Sequence, residues 1–452
     1  MQNDWAYNEL YRAKLWDKRC LATLVTATQL LADNAQGSFS SVLGSRRKAV
    51  SRILHHEKTT EHDLLVGHIR ATAVRCQQHS FVLIASDTSV MDFSTHYAVE
   101  GLGPVNDNIK LRGFFVHSAL AMTPQGVPLG LLHQHSWARD LETFGTAKDR
   151  RKRTFENKES YKWLQALRGV ETALPSTQPA LLIQDREADI FEFFSAQRRP
   201  SLQLLIRATQ PRRIEVSAEG EPHTLFEAVS ATPVVATKTV RVHAHPNREA
   251  RDAHLSVRMT TLSIRAPLNG ENPKAPSVRL TVIRAQEETP DAGVKEPIDW
   301  VLLTTWPVAD AQAALQMIDY YAFRWRIERF HFVLKSGCKY EKLQLDKLAV
   351  LQKALSLYSI VAWRLLHLTY LAREVPDTAA EEAVSPTERY VLELTTGKTI
   401  TTVKEVLLAV ANLAGFVAVP SAPNPGVKSL WIGFRKLHDM AIGFQLARRS
   451  PP

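Results

Sequence analysis

The order of apolar runs between residues 81 and 208 constrains the fold more than any other feature of the sequence. Three runs of strand length come first, separated by turns rich in Gly, Pro and Asn, and they predict a meander. Two further buried strands follow, each preceded by a helical pattern. The segments lie at 81–87, 113–122, 127–137, 157–174, 180–185, 188–197 and 202–208. They predict an α/β fold in which helices flank a mixed sheet.

The order β-β-β-α-β-α-β is that of the ribonuclease H-like fold, which we predict for the core of this chain. Alternating segments between Pro, Gly and Asn loops interrupt this order from about residue 209 to 299, and they predict an inserted β subdomain. The apolar run at 299–307 returns the chain to the core.

The chain has 452 residues, which is enough for two or three domains. Apolar residues at helical spacing predict a helical N-terminal domain over residues 1–77. The ribonuclease H-like domain is expected at 78–375. A segment typical of a linker, 376–386, then opens a helical C-terminal region at 376–452.

An excess of positive charge indicates a polyanionic partner. The net charge is +10, and residues 1–75 carry eleven Lys and Arg against seven Asp and Glu. Folded basic proteins gain affinity for nucleic acid through counterion release. The basic cluster of Arg46, Arg47 and Lys48 therefore predicts a DNA-binding role for the N-terminal domain. A solvated helix face is the alternative interpretation of the same cluster.

Cysteine usage and hydropathy predict a cytoplasmic protein that does not cross a membrane. The three cysteines are far apart and form no Cys-x-x-Cys pair, which favours a reducing compartment. The first ten residues lack the apolar run of a signal peptide. The most apolar stretch, 354–372, contains Arg364 and His367, so we expect a buried helix there.

Two aspartates follow predicted strands at the point where each strand ends. Asp87 comes after the run "FVLIAS", and Asp185 comes after "LLIQ". In the predicted topology these strands are neighbours, so the two carboxylates could share a divalent cation. An aspartate in such a position also often caps the next turn, which is the structural alternative for each residue alone.

A third carboxylate, Glu328, lies among cations. At about 100° per residue, a continuous helix would place Tyr321, Arg324, Glu328 and Lys335 within one stripe. A salt-bridged surface is one interpretation of this stripe. A phosphoryl-transfer site is the other, because three carboxylates can hold two Mg²⁺ or Mn²⁺ ions about 3.5–4 Å apart while cations bind phosphates.

The stretch "YAFRWRIERFHFVLK" matches the Tyr-(2)-Arg-(3)-Glu-(6)-Lys signature of a known family. By this signature the chain resembles the DDE transposases of the IS-four family of bacterial insertion sequences, which move DNA by a cut-and-paste reaction. Further stretches are similar to that family's motifs and occur in the same order. They are "DTSVMDF" (87–93), "VHSAL" (116–120), "GLLHQHSWAR" (130–139), "KESYKWL" (158–164) and "DREADI" (185–190).

The resemblance implies roles for individual residues. Asp87, Asp185 and Glu328 correspond to the catalytic, metal-binding triad with two Mg²⁺ ions, for which Mn²⁺ substitutes. Tyr321, Arg324 and Lys335 correspond to positions that contact the transposon end. Arg207 corresponds to a position near the strand to be cleaved, and Trp300 to a tryptophan that stacks on a flipped base. A core aromatic at a strand start is the alternative for Trp300.

The resemblance also implies a reaction and an assembly. One site would nick a strand, form and open a hairpin at the transposon end, and join the 3′-OH end to target DNA. The partners would be the inverted-repeat ends, target DNA and a second copy of the chain, with dimer contacts from residues 376–452. A ribonuclease H-like nuclease without strand transfer and a catalytically silent DNA-binding inhibitor of transposition are the alternative functions.

Overall fold

The computed structural model describes residues 5–141, 154–216, 222–242, 249–290, 294–420 and 422–449. The chain forms two compact units. The first unit consists of Met1–His79, Thr88–Gly145 and Arg326–Pro452, and the second of Ser80–Asp87 and Thr146–Trp325. The two units are defined by their compactness and do not test the domain boundaries at 77/78 and 375/376, which stay a prediction.

Ten strands occur within the described residues. They are β1 (Val82–Asp92), β2 (Gly103–Pro104), β3 (Arg112–Met122), β4 (Pro128–Trp137), β5 (Ala180–Gln184), β6 (Leu202–Arg207), β7 (Ala236–Val242), β8 (Arg251–Ile264), β9 (Val278–Gln286) and β10 (Asp299–Thr304).

The same part of the chain contains fourteen α-helices. They are α1 (Trp5–Leu10), α2 (Arg19–Asp33), α3 (Phe39–Leu43), α4 (Arg47–His55), α5 (Glu61–Cys76), α6 (Lys162–Ala173), α7 (Phe191–Ser195), α8 (Leu225–Ser230), α9 (Ala311–Ala322), α10 (Trp325–Phe332), α11 (Leu348–Glu374), α12 (Pro386–Thr396), α13 (Val403–Leu413) and α14 (Val427–Arg449). The predicted α/β fold with a helical C-terminal region is therefore confirmed.

The second unit is built on a sheet that runs β1-β5-β6-β10-β9-β8-β7. β1 pairs with β5, and β5 with β6, in parallel. β6, β10, β9, β8 and β7 then pair antiparallel in that order. Every residue of β5 is buried, as is typical of a parallel strand covered on both faces. α9 packs against β5 on this sheet.

Strands β7, β8 and β9 lie within residues 209–299, where the inserted β subdomain is predicted. These strands form an antiparallel meander, and β9 pairs with β10 over residues 281–286. The insertion therefore continues the sheet of the core. Exposure alternates along β7, the last strand, as expected for an edge strand with one solvated face.

In the first unit, β3 and β4 form an antiparallel pair on which α5 and α11 pack. α5 begins with a capping box in which the Thr60 hydroxyl accepts from the Asp63 N–H and the Asp63 carboxylate accepts from the Thr60 N–H. α12, α13 and α14 share a core with the end of α11. This core fixes the C-terminal helices relative to one another.

α11 is the predicted buried helix. It is long and apolar enough to cross a membrane, yet 72% of its most apolar window is buried within the protein. Arg364 donates a hydrogen bond to the Glu382 carbonyl, and His367 contacts the Pro128 carbonyl at 2.8 Å. Polar side chains with such partners are typical of a core helix.

Candidate nucleic-acid-processing site at the sheet edge

Asp87 and Asp185 occupy equivalent positions on neighbouring strands. The parallel pairing of β1 with β5 aligns Ala85 with Ile183. Asp87 and Asp185 each lie two residues further along. Because both strands run in the same direction, the two aspartates come to the same carboxyl edge of the sheet. The predicted adjacency of their strands is confirmed.

Asp185 also caps a turn, so the structural alternative describes part of its role. Its Oδ1 accepts a hydrogen bond of 2.8 Å from the Glu187 N–H, at the start of the 3₁₀ turn Arg186–Ala188. An ionised carboxylate has about four lone-pair sites on two oxygens. One hydrogen bond to the turn is therefore compatible with a cation on the same group.

Arg324 lies close to Asp87. Its Nη1 is 3.9 Å from Oδ2 of Asp87, and the side chains are 12% and 20% exposed. This distance permits charge attraction but exceeds a hydrogen bond. Arg324 follows the end of α9, where its N–H donates to the Tyr321 carbonyl at 3.0 Å.

Tyr321 joins these residues to Arg207. The phenol is 4% exposed, and burial raises its pKa against the opposing effect of Arg324 and Arg207. The charge of Asp185 raises this pKa as well. Arg207 donates from Nη2 to the Asp299 carbonyl at 3.1 Å. At neutral pH the cluster therefore offers a protonated phenol and two cations beside the aspartates.

Trp300 packs edge-on against Tyr321. Their ring centroids are 5.4 Å apart with an interplanar angle of 68°. Trp300 is the second residue of β10 and is partly exposed, while the following residues of the strand are buried. An indole in this position has an apolar surface at the border of the cluster and is not fully buried in the core.

A buried ion pair that sequence reasoning missed supports this region. Asp189 is fully buried and pairs with Arg212 at 2.6 Å. Its Oδ2 also accepts from the N–H groups of Thr209 and Gln210 at 2.7 and 2.9 Å. These contacts fix the segment after β6 to the segment after Asp185. In the sequence, the signal for this ion pair is Asp189, the second aspartate of the stretch "DREADI".

The prediction that Tyr321, Arg324, Glu328 and Lys335 share one stripe of a continuous helix is wrong. α9 ends at Ala322, and the Phe323 N–H donates to the Tyr320 carbonyl at 3.1 Å in a 3₁₀ closure. Aromatic residues, which are poorer helix formers than Ala or Leu, crowd this stretch. The spacing of about 100° per residue applies only along an unbroken helix.

Lys335 lies in a further irregularity, the π-helical turn Val333–Gly337. The Cys338 N–H donates to the Val333 carbonyl five residues earlier, at 2.8 Å. Lys335 Nζ donates to the Val90 carbonyl at 2.9 Å and lies 3.2 Å from Oε1 of Glu341. π-turns occur frequently at functional sites. The acid Glu341 was not singled out from the sequence.

Glu328 lies on α10 and is partly buried. It belongs to the first unit, whereas Asp87 and Asp185 belong to the second. The convergence of the three carboxylates stays a prediction. Within the second unit, the structure brings together Asp87, Asp185, Arg207, Trp300, Tyr321 and Arg324.

The basic cluster of the N-terminal helices is exposed. Arg46 ends a 3₁₀ turn and Arg47 and Lys48 begin α4, and all three side chains lie at the surface. Val50, Ile53 and Leu54 bury the opposite face of α4. An amphipathic helix of this kind is compatible with both the DNA-binding and the solvated-face interpretation.

Large apolar side chains are exposed on the C-terminal helices. On α12, Tyr390 is 48% and Leu394 60% exposed, and on α14 Leu446 is 58% exposed. Tyr390 contacts Phe444 of α14 with ring centroids 5.4 Å apart. The two helices therefore present apolar surface side by side, as protein interaction sites often do.

The carboxylates at the sheet edge suit a hard divalent cation. Mg²⁺ and Mn²⁺ prefer oxygen ligands, and Mg²⁺ is commonly held by one or two carboxylates together with water and phosphate. Asp87 and Asp185 supply two carboxylates at aligned positions. The donor set at this edge therefore fits Mg²⁺.

Two comparisons with known proteins concern the chain. Residues 360–450 match the family model described as the Transposase Tn5 dimerisation domain. This region includes α12, α13 and α14. A cryo-EM structure of a piggyBac transposase synaptic complex with hairpin DNA is 9% identical, over 96% of this chain and 73% of that chain, with a TM-score of 0.36. A TM-score this low does not define a shared fold.

Proposed function

We propose that this protein is a DNA transposase of the DDE type, which uses Mg²⁺ to excise a mobile element and insert it elsewhere. The alignment of Asp87 with Asp185 at the edge of a mixed sheet carries the proposal. The match of residues 360–450 to a transposase dimerisation domain supports it independently.

Asp87, Asp185 and Glu328 are the proposed ligands of two Mg²⁺ ions, for which Mn²⁺ substitutes. Bound there, the ions would supply Lewis acidity to the attacking and leaving oxygens of phosphodiester transfer. The aligned aspartates provide the rigid part of this ligand set, because both are fixed by strand pairing. Glu328 is assigned by the signature of residues 321–335.

The cations of the cluster bind the DNA end in this proposal. Arg207 and Arg324 are held beside Tyr321, so their guanidinium groups are positioned before DNA arrives. The protonated Tyr321 phenol donates to a phosphate oxygen. Lys335 contributes a further positive charge to the backbone contacts.

Trp300 receives a base that leaves the stack at the transposon end. Its partly exposed indole, braced by Tyr321 at 5.4 Å, provides a fixed apolar surface for the extruded base. Removing the base from the stack relieves the strain of a tight hairpin. This role makes Trp300 important for hairpin formation and less important for the first nick.

The proposed reaction has four phosphoryl transfers. Water attacks a phosphodiester at the element's end and leaves a free 3′-OH. That hydroxyl attacks the opposite strand to form a hairpin, and a second water opens it. The same 3′-OH then attacks target DNA, and each attack displaces one 3′-oxygen from phosphorus.

The proposed assembly is a homodimer on DNA in the bacterial cytoplasm, at the nucleoid. The exposed apolar side chains of α12 and α14 lie in the region that matches the dimerisation domain and supply the contact between copies. The exposed cations Arg46, Arg47 and Lys48 bind the transposon end.

The test uses a linear fragment that carries the inverted repeats flanking the gene, incubated with the protein and either Mg²⁺ or EDTA. We expect release of the element through hairpin ends in Mg²⁺ alone. Glu328→Ala should abolish cleavage and retain end binding, whereas Glu296→Ala, at an exposed acid of the second unit, should cleave normally. Nicks without hairpins would favour a structure-selective nuclease. Binding without cleavage would favour a silent inhibitor of transposition.

A further inference from the structure

A second group of potential metal ligands lies in the first unit, on helices that the proposed reaction does not use. Asp33 ends α2, Glu388 lies in the first turn of α12, and His438 lies on α14. Each side chain offers one ligand atom, and these atoms lie within 4.8 Å of one another. Three separate helices thus bring an imidazole and two carboxylates together.

One pair in this group has the spacing of ligands on one ion. His438 Nδ1 and Asp33 Oδ2 are 3.2 Å apart. Zinc bonds of about 2.0–2.1 Å in a tetrahedral arrangement place neighbouring ligands about 3.3 Å apart. Imidazole and carboxylate are also the ligand types of many zinc sites, whereas Mg²⁺ rarely takes imidazole.

Glu388 is held in place by its own hydrogen bonds. Its Oε2 accepts from the N–H and the hydroxyl of Ser385, at 2.8 and 2.7 Å, in the capping box of α12. Val391 and Leu392 of the same helix are buried in the C-terminal core, as is Leu437 beside His438. The carboxylate and the imidazole therefore stand on a rigid base, which lowers the entropy lost on binding an ion.

The electrostatic environment favours a cation at this position. Two carboxylates lie close to one another here, so a bound cation would relieve their mutual repulsion. The side chains of His438 and Asp33 are 24% and 31% exposed, so an ion can reach them from solvent.

We propose that Asp33, Glu388 and His438 form a binding site for a divalent transition metal ion of the Zn²⁺ class, with water at the remaining positions. The ion joins α2, near the start of the chain, to α12 and α14, in the region that matches the dimerisation domain. The site stabilises this arrangement of helices and does not depend on the proposed catalysis.

The test measures Zn²⁺ binding to the full chain by competition with a chromophoric chelator, in excess Mg²⁺ and in an Asp185→Asn background that weakens the proposed catalytic site. We expect one tightly bound Zn²⁺ per chain. His438→Ala should weaken it by at least about tenfold, because one of three protein ligands is lost. Saturating Zn²⁺ should raise the melting temperature by about 2–4 °C in the background protein and not in the His438→Ala protein.

The control is His55→Ala, because His55 also pairs with an aspartate, Asp346, at 3.0 Å. Its Zn²⁺ affinity should equal that of the background protein. Co²⁺ provides a second readout, since its visible absorption reports imidazole and carboxylate ligation. If His438→Ala disturbs folding, Asp33→Asn and Glu388→Gln carry the same comparison. Equal Zn²⁺ affinity in folded ligand variants and the His55→Ala control would overturn the proposal.

Discussion

At the sheet edge, Asp87 lies 3.9 Å from Arg324, beyond the distance of a hydrogen bond. In the N-terminal helices, by contrast, Glu9 is closely paired on both oxygens. Arg75 donates to Oε1 at 2.6 Å, and His68 Nδ1 lies 2.5 Å from Oε2. The Glu9 carboxylate is therefore fixed on both oxygens by contacts within the protein, whereas Arg324 approaches Asp87 at a longer distance.

A charged side chain with a structural role has its partners within the protein, and the Glu9 network shows this. His68 Nε2 accepts from the Leu131 N–H at 3.0 Å, so its proton is on Nδ1 and is donated to Glu9. The network around Glu9 is complete within the protein and links α1, α5 and β4. The sheet-edge aspartates are partly exposed, and Arg324 Nη1 lies 3.9 Å from Asp87 Oδ2, an arrangement that suits a phosphate or a metal ion from outside.

The largest effect is expected at Asp87. Asp87→Asn keeps the shape of the side chain and removes the charge that holds a divalent cation. Cleavage of the transposon-end fragment should fall by at least about a thousandfold, because metal ions supply several kcal/mol to such transition states. A gel assay under single-turnover conditions measures it. If DNA binding were lost together with cleavage, Asp87 would instead have a structural role like that of Glu9.

Glu9→Gln tests the closed network. In this variant Arg75 keeps only part of its pairing and the contact with His68 changes. The free energy of unfolding should therefore fall by about 3 kcal/mol, as expected for a broken buried ion pair. The denaturation midpoint measures this loss. Folded Glu9→Gln protein should cleave DNA at the normal rate per active molecule. A specific loss of cleavage without loss of stability would contradict the distinction.

The Glu9 network should also make the stability of the protein depend on pH. Burial alone would raise the pKa of Glu9, but its contacts with His68 and Arg75 lower it from 4.5 to about 2. The folded pKa lies below the unfolded value, so this stabilisation is complete above pH 4.5 and is lost as pH falls toward 2. Thermal melts across this pH range should show that the free energy of unfolding falls by about 3 kcal/mol. Glu9→Gln should remove that part of the pH dependence.

Trp300→Ala is expected to act on one chemical step. Loss of the stacking surface should slow hairpin formation by about 10- to 100-fold, because stacking of a base on an aromatic ring contributes about 1–3 kcal/mol. The first nick should change little, and Trp300→Phe should retain most of the activity. Denaturing gels that resolve nicked from hairpin products measure both. Equal slowing of the two steps would point to a general packing role.

The smallest effect is expected from replacing the basic cluster at the start of α4. Replacing Arg46, Arg47 and Lys48 by Ala should reduce the slope of binding against salt concentration by up to about 2.7. Stability should stay within about 0.5 kcal/mol, since all three side chains are exposed. The control removes three exposed lysines of the C-terminal region, Lys398, Lys404 and Lys428. Equal slopes for the two triple variants would favour the solvated-face interpretation of α4.

Much of the sheet could be predicted because its signals are local. Asp87 and Asp185 follow short apolar runs, and the order of strands makes those runs neighbours, so their adjacency was available from the sequence. The break between α9 and α10 was not, since the spacing of polar residues is the same whether a helix continues or stops. The π-turn at Lys335 was hidden for the same reason.

Contacts between distant parts of the chain were out of reach of pattern reasoning. Asp33, Glu388 and His438 share no motif and meet only because three helices pack together. The ion pair of Asp189 with Arg212 depends on how two loops pass each other. Such contacts follow from tertiary packing, which the local patterns of a sequence do not reveal.

In the proposed reaction, Asp185 and Asp87 bind a divalent cation that cleavage requires. The most direct measurement is cleavage by Asp185→Cys in Mg²⁺ and in Mn²⁺, because Mn²⁺ accepts a sulfur ligand more readily than Mg²⁺ does. We predict negligible cleavage in Mg²⁺ and clear recovery in Mn²⁺, while Glu296→Cys cleaves in both. Normal cleavage by Asp185→Cys in Mg²⁺, or a folded and DNA-bound variant that is inactive with both ions, would contradict the account.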